Sequence, residues 1–371
     1  MNYSEIAGQS DLIKQLLGMV QQKQLPHALF ISGDDGIGAL PLAHALARHI
    51  LCEQPNANGA CELCAACKKS KSWSHPDLHP VFPIIKSKEV KQSNDERQEF
   101  RQAYSKNPYL LLDDWLSHIE GEHKQPIIPV DEAETILHNL SLTSFEGLAK
   151  IVLVWHPAYM NTETANKLLK VIEEPPENTY FIFTTGGAEE LLPTLVSRLQ
   201  TWTCTPVTEI QLKGIKPLCE WSETVVQQVI SMSQGNPGLA IQIGSQPELR
   251  GELLEDFQQF MRHAIRFQAS TGFLCIEQLV AKGRSYQKRF LLYSLYLLRQ
   301  ALLTRENIPM LPVYNYEEDN FIKKFAPFVS LQACEILSEV FSSQVYYIER
   351  NANPKILFTD LLFTCSEYLK K

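Results

Sequence analysis

The sequence predicts an α/β fold, a mostly parallel sheet flanked by helices, followed by an all-helical half. Three observations carry this expectation. Up to about residue 205, apolar runs of strand length alternate with stretches of helical period, the pattern of parallel strands joined by crossover helices. One such run, Ala28-Leu29-Phe30-Ile31, passes through a turn holding Gly33, Gly36 and Gly38 directly into a helical pattern that reaches Leu51. Beyond Pro206 the apolar spacing is helical to the end.

The totals agree with this plan. A chain of 371 residues has room for two or three domains, and 44% hydrophobic with 20% charged residues is ordinary for a soluble globular protein. A formal net charge of -8 excludes a generally basic nucleic-acid binder while leaving room for a local basic patch. No apolar run approaches the roughly 18 residues of a membrane span, and the opening M-N-Y-S-E-I-A-G lacks the basic and apolar regions of a signal peptide. No membrane partner and a cytoplasmic location are the expectation.

The first element is a helix over Ser10–Gln22, with Leu12, Ile13, Leu16, Leu17 and Val20 at i, i+3, i+4 spacing and Ser10 or Asp11 as its cap. A buried strand over Pro26–Ile31 precedes the glycine turn. The next helix carries Leu42, Ala43, Leu46, Ala47, Ile50 and Leu51 on one face, and Pro41 is tolerated because it falls in the first turn.

The turn has the frame of a phosphate-binding loop, G-x-x-x-x-G-K-[ST], with Gly33 and Gly38 at the two glycine positions and Gly36 between them. The reactive positions are different. Ala39 stands where a lysine would reach the outer phosphates, and Leu40 where a hydroxyl would hold magnesium.

Cys52, Cys61, Cys64 and Cys67 follow, spaced C-x8-C-x2-C-x2-C, with a turn-forming loop containing Pro55, Asn56, Asn58 and Gly59 after the first. Two-residue gaps let neighbouring sulfurs turn onto one ion about 2.3 Å away, so the set suits tetrahedral zinc, closed and structural because protein fills all four positions. His75 and His79 in H-P-D-L-H read as turn or packing residues. The other five cysteines, Cys204, Cys219, Cys275, Cys334 and Cys365, read as buried free thiols.

Residues 84–125 mix Lys86, Lys88, Lys91, Arg97 and Arg101 with acidic residues. This charged insertion reads as a solvated segment with one docked helix, whose apolar face is Leu111, Leu112, Trp115, Leu116 and Ile119. Ile127–Val130 then reads as a strand, with Asp131 and Glu134 as a helix-starting pair. Ile151–Trp155 is a central strand, Asn161 starts a helix stopped by Pro175-Pro176, and Thr179–Thr185 and Thr201–Thr205 are strands on either side of a short helix at Leu191–Arg198. Later helical stretches are Val225–Met232, a new start at Leu239 after the break Gly235-Asn236-Pro237-Gly238, Phe257–Phe267, Phe290–Leu303, Leu331–Phe341 and Ile356–Leu369.

A hydrolysing phosphate loop also needs a carboxylate at the end of a second strand. The candidate strand ends Trp155-His156-Pro157-Ala158, with none. With lysine, hydroxyl and carboxylate all missing, no ATP hydrolysis is expected, and backbone N–H groups at the helix start leave only weak nucleotide binding as an alternative. Ser197-Arg198 ends the short helix after Leu192-Pro193-Thr194-Leu195. An arginine so placed can stabilise charge on a neighbouring subunit's phosphate, although an ion-pair partner is the plainer reading.

Five stretches together resemble a known family: L-P-H-A-L-F-I-S-G-D-D-G-I-G (25–38), the four cysteines (52–67), H-P-D-L-H (75–79), A-Y-M-N-T-E-T-A-N-K-L-L-K-V-I-E-E-P-P (158–176) and L-L-P-T-L-V-S-R (191–198). The chain is similar in them to the delta-prime family of bacterial DNA polymerase III clamp-loader subunits, in the AAA+ superfamily. The resemblance implies an AAA+ core with an inserted zinc module over residues 1–205, a helical lid over 206–245 and a helical collar for oligomerisation over 246–371. It implies zinc on Cys52, Cys61, Cys64 and Cys67, and no ATPase activity of the chain's own. By the same resemblance Arg198 completes the ATP site of an adjacent ATPase subunit. The implied partners are the ATPase subunits and a delta-type subunit in a five-membered ring, with the sliding clamp and primer-template DNA met through the complex. Two departures stand out: Ser197-Arg198 is followed by Leu199 rather than cysteine, and Gly238 occupies the lid position where active relatives carry a nucleotide-sensing arginine. An active ATPase of the same complex, and a zinc-containing DNA-binding protein, are the competing readings.

Overall fold

The computed structural model describes residues 1–121, 124–146, 149–266, 269–308, 316–349 and 352–369. The chain divides into two compact units, Met1–Glu220 with Ser233–Ile241, and Trp221–Met232 with Gln242–Lys371.

The first unit holds β1 (Ala28–Ser32), β2 (Leu78–Val81), β3 (Lys150–Trp155), β4 (Thr179–Thr185) and β5 (Gln200–Thr203). They form one parallel sheet in the order β2-β3-β4-β1-β5. β1 and β3 are buried at every residue, as strands covered on both faces must be. Side chains alternate across the sheet. Leu29 and Ile31 join a core with Leu42, Leu46 and Trp155, while Phe30 packs with Phe181, Phe183, Ile136 and Leu168 on the other face. The flanking helices are α1 (Ser10–Gln21), α2 (Ala39–Ile50), α3 (Ala65–Lys71), α4 (Arg97–Lys106), α5 (Leu112–His118), α6 (Val130–Ser141), α7 (Thr162–Glu173) and α8 (Pro193–Val196), followed by α9 (Glu209–Lys213) and α10 (Lys216–Cys219). This is the α/β core that the alternation predicts.

The second unit is helical. It holds α11 (Glu223–Ser233) up to Met232, the end of α12 (Pro237–Ser245), whose start belongs to the first unit, then α13 (Pro247–Arg266), α14 (Ala269–Ala281), α15 (Arg284–Arg305), α16 (Tyr316–Phe325), α17 (Leu331–Glu349) and α18 (Pro354–Tyr368). Its core gathers Phe257, Phe260, Phe290, Leu297, Leu337 and Phe358. A buried ion pair crosses it: Arg250 donates to both carboxylate oxygens of Glu318 at 3.0 and 2.8 Å, and the Tyr293 and Tyr296 hydroxyls donate to the same carboxylate. No helix among the described residues is long and apolar enough to cross a membrane.

Five sequence expectations need correction. The insertion is not a solvated segment with one docked helix: α4 and α5 both pack, and Phe100, Tyr104 and Trp115 form a buried aromatic group with Trp73 and Phe82. Its charges misled because they lie outside that apolar face, and one of them is structural: Arg97 donates to the carbonyls of Trp73 at 2.9 Å and Leu78 at 3.0 Å. Ile127–Val130 is not a strand but two isolated bridges, because Pro129 has no N–H to give a ladder. The Asp131 and Glu134 side chains pair with Lys86 and Lys167 instead of capping α6. The true fifth strand is β2, within what reads as a turn; it lies at the sheet edge, where Pro80 is tolerated. Cys219 is exposed, whereas Cys204, Cys275, Cys334 and Cys365 are buried as expected. Phe267, the end of one predicted helix, lies outside the described residues.

Candidate functional site

The glycine turn sits at the C-terminal end of β1, where Gly33 donates its N–H to the carbonyls of Thr185 (3.1 Å) and Gly186 (2.9 Å) at the end of β4. Gly36 has φ +82° and Gly38, the N-cap of α2, has φ +121°, values that glycine adopts without strain. The backbone is therefore that of a phosphate loop. Other parts of the chain pack closely against it. A Cβ on Gly36 would lie 2.6 Å from Leu111 Cδ2 and 2.9 Å from Asn236 Oδ1. The Tyr109 ring stands 3.5 Å from the Cβ position of Gly38, and its hydroxyl accepts the Ala7 N–H at 2.7 Å. Gly238 donates its N–H to the Gly36 carbonyl at 2.9 Å, and the Asn236 side chain donates to the Asp35 carbonyl at 2.8 Å. Ala39 and Leu40 are buried at the start of α2. The remaining cavity, lined by Gly36, Tyr109, His156 and Thr184 among others, has a volume of about 10 Å³, the room that one water needs. Thr184 Oγ1 borders it with no hydrogen-bond partner.

Asp35 organises this packing. Its carboxylate accepts the Leu112 N–H at 2.6 Å and lies 3.1 Å from His156 Nε2. His156 follows β3, where a magnesium-binding acid would stand, and takes a left-handed backbone (φ +53°) to do so. Thr185 Oγ1 lies 3.5 Å from His156 Nδ1. The Thr-His-Asp order resembles a nucleophilic triad, but the contact is long and the cavity admits no substrate, so it is a packing chain.

The four predicted cysteines do come together: the sulfurs of Cys52, Cys61, Cys64 and Cys67 all lie within 4.8 Å of one another. The Cys61 and Cys67 sulfurs are 3.8 Å apart, the separation that tetrahedral bonds of about 2.3 Å produce. Backbone N–H groups of Cys61, Cys64 and Cys67 donate to the sulfurs of Cys52, Cys61 and Cys64 at 3.2, 3.4 and 3.3 Å, donors suited to thiolates. Those of Cys64 and Leu63 bring the Cys61 thiol down to about 6, whereas burial pushes Cys52 and Cys67 up. The donor set fits zinc. His75 and His79 are outside it: the His75 ring faces Glu146 at 3.0 Å, and burial brings His79 down to about 4. The loop is fastened from α2, where Arg48, 1% exposed, donates through Nη2 to both Glu62 oxygens at 2.6 Å.

Arg198 lies just beyond α8, its side chain 29% exposed. Its Nε donates to Glu173 Oε1 at 2.6 Å, Nη2 lies 2.5 Å from the same oxygen, and Nη1 donates to the Thr194 carbonyl at 2.5 Å. Ser197 Oγ is 3.3 Å from Nη1. The plainer reading of this arginine, an ion-pair partner, therefore holds in the free chain.

The sequence-predicted residues thus fall into three separate places: the loop (Gly33, Gly36, Gly38, Ala39, Leu40), the cysteine cluster, and Arg198. Sequence reasoning missed Tyr109, Leu111, Asp35 and Asn236 around the loop, Arg48 behind the cysteines, and Glu173 beside Arg198. The second carboxyl-bearing residue of the turn, Asp35, was the one available signal, since phosphate loops rarely profit from acids facing phosphate.

Comparison with known proteins gives a consistent result. The family described as DNA polymerase III, delta subunit, matches residues 8–208, more than half of the chain. The delta' subunit of DNA polymerase III from Escherichia coli K12 is 26% identical over 229 residues, covering 62% of this chain and 57% of that protein. Its counterpart from Pseudomonas aeruginosa is 27% identical over 267 residues, covering 69% and 67%. That from Bacillus subtilis is 28% identical over 208 residues, covering 56% and 50%. The matched part thus spans half to two thirds of the length of these relatives. Among solved structures, a DNA polymerase III gamma subunit-related protein from Thermotoga maritima aligns over 95% of this chain and 99% of its own, at 16% identity and a TM-score of 0.39.

Proposed function

We propose that this chain, which belongs to the DNA polymerase III delta-subunit family, is a non-hydrolysing clamp-loader subunit that lends Arg198 to the ATP site of a neighbouring ATPase subunit. In this reading residues 1–205 are the AAA+ core, 206–245 the lid and 246–371 the collar through which five subunits, a delta-type subunit among them, form a ring. The ring loads the sliding clamp onto primed DNA. The observation that carries the reading is the crowded glycine loop: Tyr109 and Leu110 border the cavity of about 10 Å³ that remains there, and Leu111 and Asn236 pack close to Gly36.

The mechanism follows from what the residues can do. In this reading the loop is not used to bind or orient a nucleotide: the cavity left at it holds about 10 Å³, and Ala39 and Leu40 supply no charge or hydroxyl. Arg198 offers a permanently charged, planar donor at the surface, which can neutralise charge building on a phosphoryl group during transfer. Cys52, Cys61, Cys64 and Cys67 would hold zinc, which supplies folding energy rather than a reactive water, since four protein ligands close the site.

The test is ATP turnover with the purified chain and with the reassembled complex. The chain alone should show none. Arg198→Ala should leave assembly intact and lower the partner's turnover by up to about 10³-fold. Turnover by the isolated chain that disappears on substituting Gly36 would instead establish an active ATPase. Tight, salt-dependent DNA binding by the isolated chain would favour the DNA-binding reading.

A further inference from the structure

We propose that Glu173 is the positioning residue for Arg198, an inference that rests on Arg198 acting on a neighbouring subunit. Glu173 is the last residue of α7, where Glu174 and Pro175-Pro176 end the helix. A carboxylate at that end faces the negative pole of the helix dipole and gains from a cation held against it. Arg198 supplies that cation from the turn after α8, with Nε and Nη2 both on Glu173 Oε1, at 2.6 and 2.5 Å. The Thr194 carbonyl takes Nη1 from the other side at 2.5 Å.

The guanidinium is thus gripped along one edge and at one tip. Three of its five N–H groups are engaged by Glu173 and Thr194, with Ser197 Oγ a longer contact at 3.3 Å. At least one N–H stays open to an acceptor from outside the chain. A long side chain that is held before its target arrives loses less conformational freedom when it engages. Glu173 therefore fixes where the charge stands, and Glu173 itself touches no phosphate.

Two readouts separate this role from a structural one. In the free chain, the Arg198 Nε–H resonance, assigned by its absence in Arg198→Lys, should exchange slowly with water. It should exchange as an exposed arginine does in Glu173→Ala, and recover in part in Glu173→Asp. In the reassembled complex, Glu173→Ala should lower the partner's ATP turnover about two- to fivefold, the range of a partly exposed ion pair, with thermal unfolding unchanged. Added to Arg198→Ala it should do nothing further, because both substitutions remove one coupled unit. A slowly exchanging Nε–H in Glu173→Ala, or effects that multiply in the double variant, would overturn the proposal. If Glu173→Ala frees the Nε–H while Arg198→Ala leaves turnover unchanged, Glu173 still positions the arginine, and the trans-acting role of Arg198 is what fails.

Discussion

Restoring the two lost residues of the glycine loop, with Ala39→Lys and Leu40→Ser together, should not restore nucleotide binding. The reason is space rather than charge. For phosphates to enter, the segment carrying Tyr109, Leu110 and Leu111 must leave, and all three side chains are buried. Exposing each costs about 1.5–3 kcal/mol, so the three cost about 4.5–9 kcal/mol together. A nucleotide that would bind a preformed loop at about 1 μM has about 8.2 kcal/mol to spend. Subtracting the displacement leaves less than about 4 kcal/mol, which is an affinity of about 1 mM or weaker. Titration with a fluorescent ATP analogue, with folding checked by thermal unfolding, measures this directly. Micromolar binding by the folded double variant would refute the reasoning, because the packing would then be no barrier.

Other outcomes follow from the same contacts. Gly238→Ala should destabilise the protein by about 2 kcal/mol or more in denaturant unfolding, since its Cβ would lie 2.4 Å from the Tyr109 carbonyl oxygen and 2.7 Å from Gly36 Cα. Removing one partner of the buried pair, as in Glu318→Gln, should cost about 3–5 kcal/mol by the same method, whereas replacing Arg250 and Glu318 together with apolar residues should cost less. Purified protein should carry about one equivalent of zinc by metal analysis, and Arg48→Met should weaken its retention against a chelator about 10- to 100-fold by releasing Glu62 from the cysteine loop. Burial, with repulsion from Glu99 and Asp95, raises the Glu96 carboxyl to about 7. The folded state then holds the proton more tightly than the unfolded one, so the stabilising effect is present below about pH 4.5 and lost as pH rises through 7. Thermal unfolding of Glu96→Gln should therefore show a gain over the parent at pH 8 that vanishes near pH 4.5.

Much of the sheet was legible because burial on both faces leaves a plain mark: Ile151–Trp155 and Thr179–Thr185 read as strands and fall in β3 and β4. So was the cysteine cluster, whose ligand spacing is nearly a statement of geometry. What escaped is what depends on partners distant in the chain. β2 was missed because Leu78–Val81 is short and holds Pro80, acceptable only at an edge that β3 defines. The insertion looked wet because Arg97 and its charged neighbours dominate the part before Leu111, where Phe100 and Tyr104 are too few to show one face. The packing around the glycine loop joins residues about 33–40, 109–112 and 236–238, and no local pattern encodes such a meeting. Arg198 was found by motif, but its anchor Glu173 lies 25 positions away, in a second motif with no sequence sign of contact between the two.

α2 connects two of these places. It begins at Gly38, against Tyr109, and carries Arg48 in its last turn, where the guanidinium holds Glu62 and the Met1 carbonyl. A helix of this length spans about 18 Å, so it serves as a beam with both ends bolted. In the proposed reading, the cysteine loop is mounted on a part of the molecule that has no nucleotide to follow. Leu63, between two of the sulfur-bearing residues and 79% exposed, is an accessible point of attachment. A dye or spin label placed there would report the orientation of the first unit itself, undisturbed by any opening and closing of its own glycine turn.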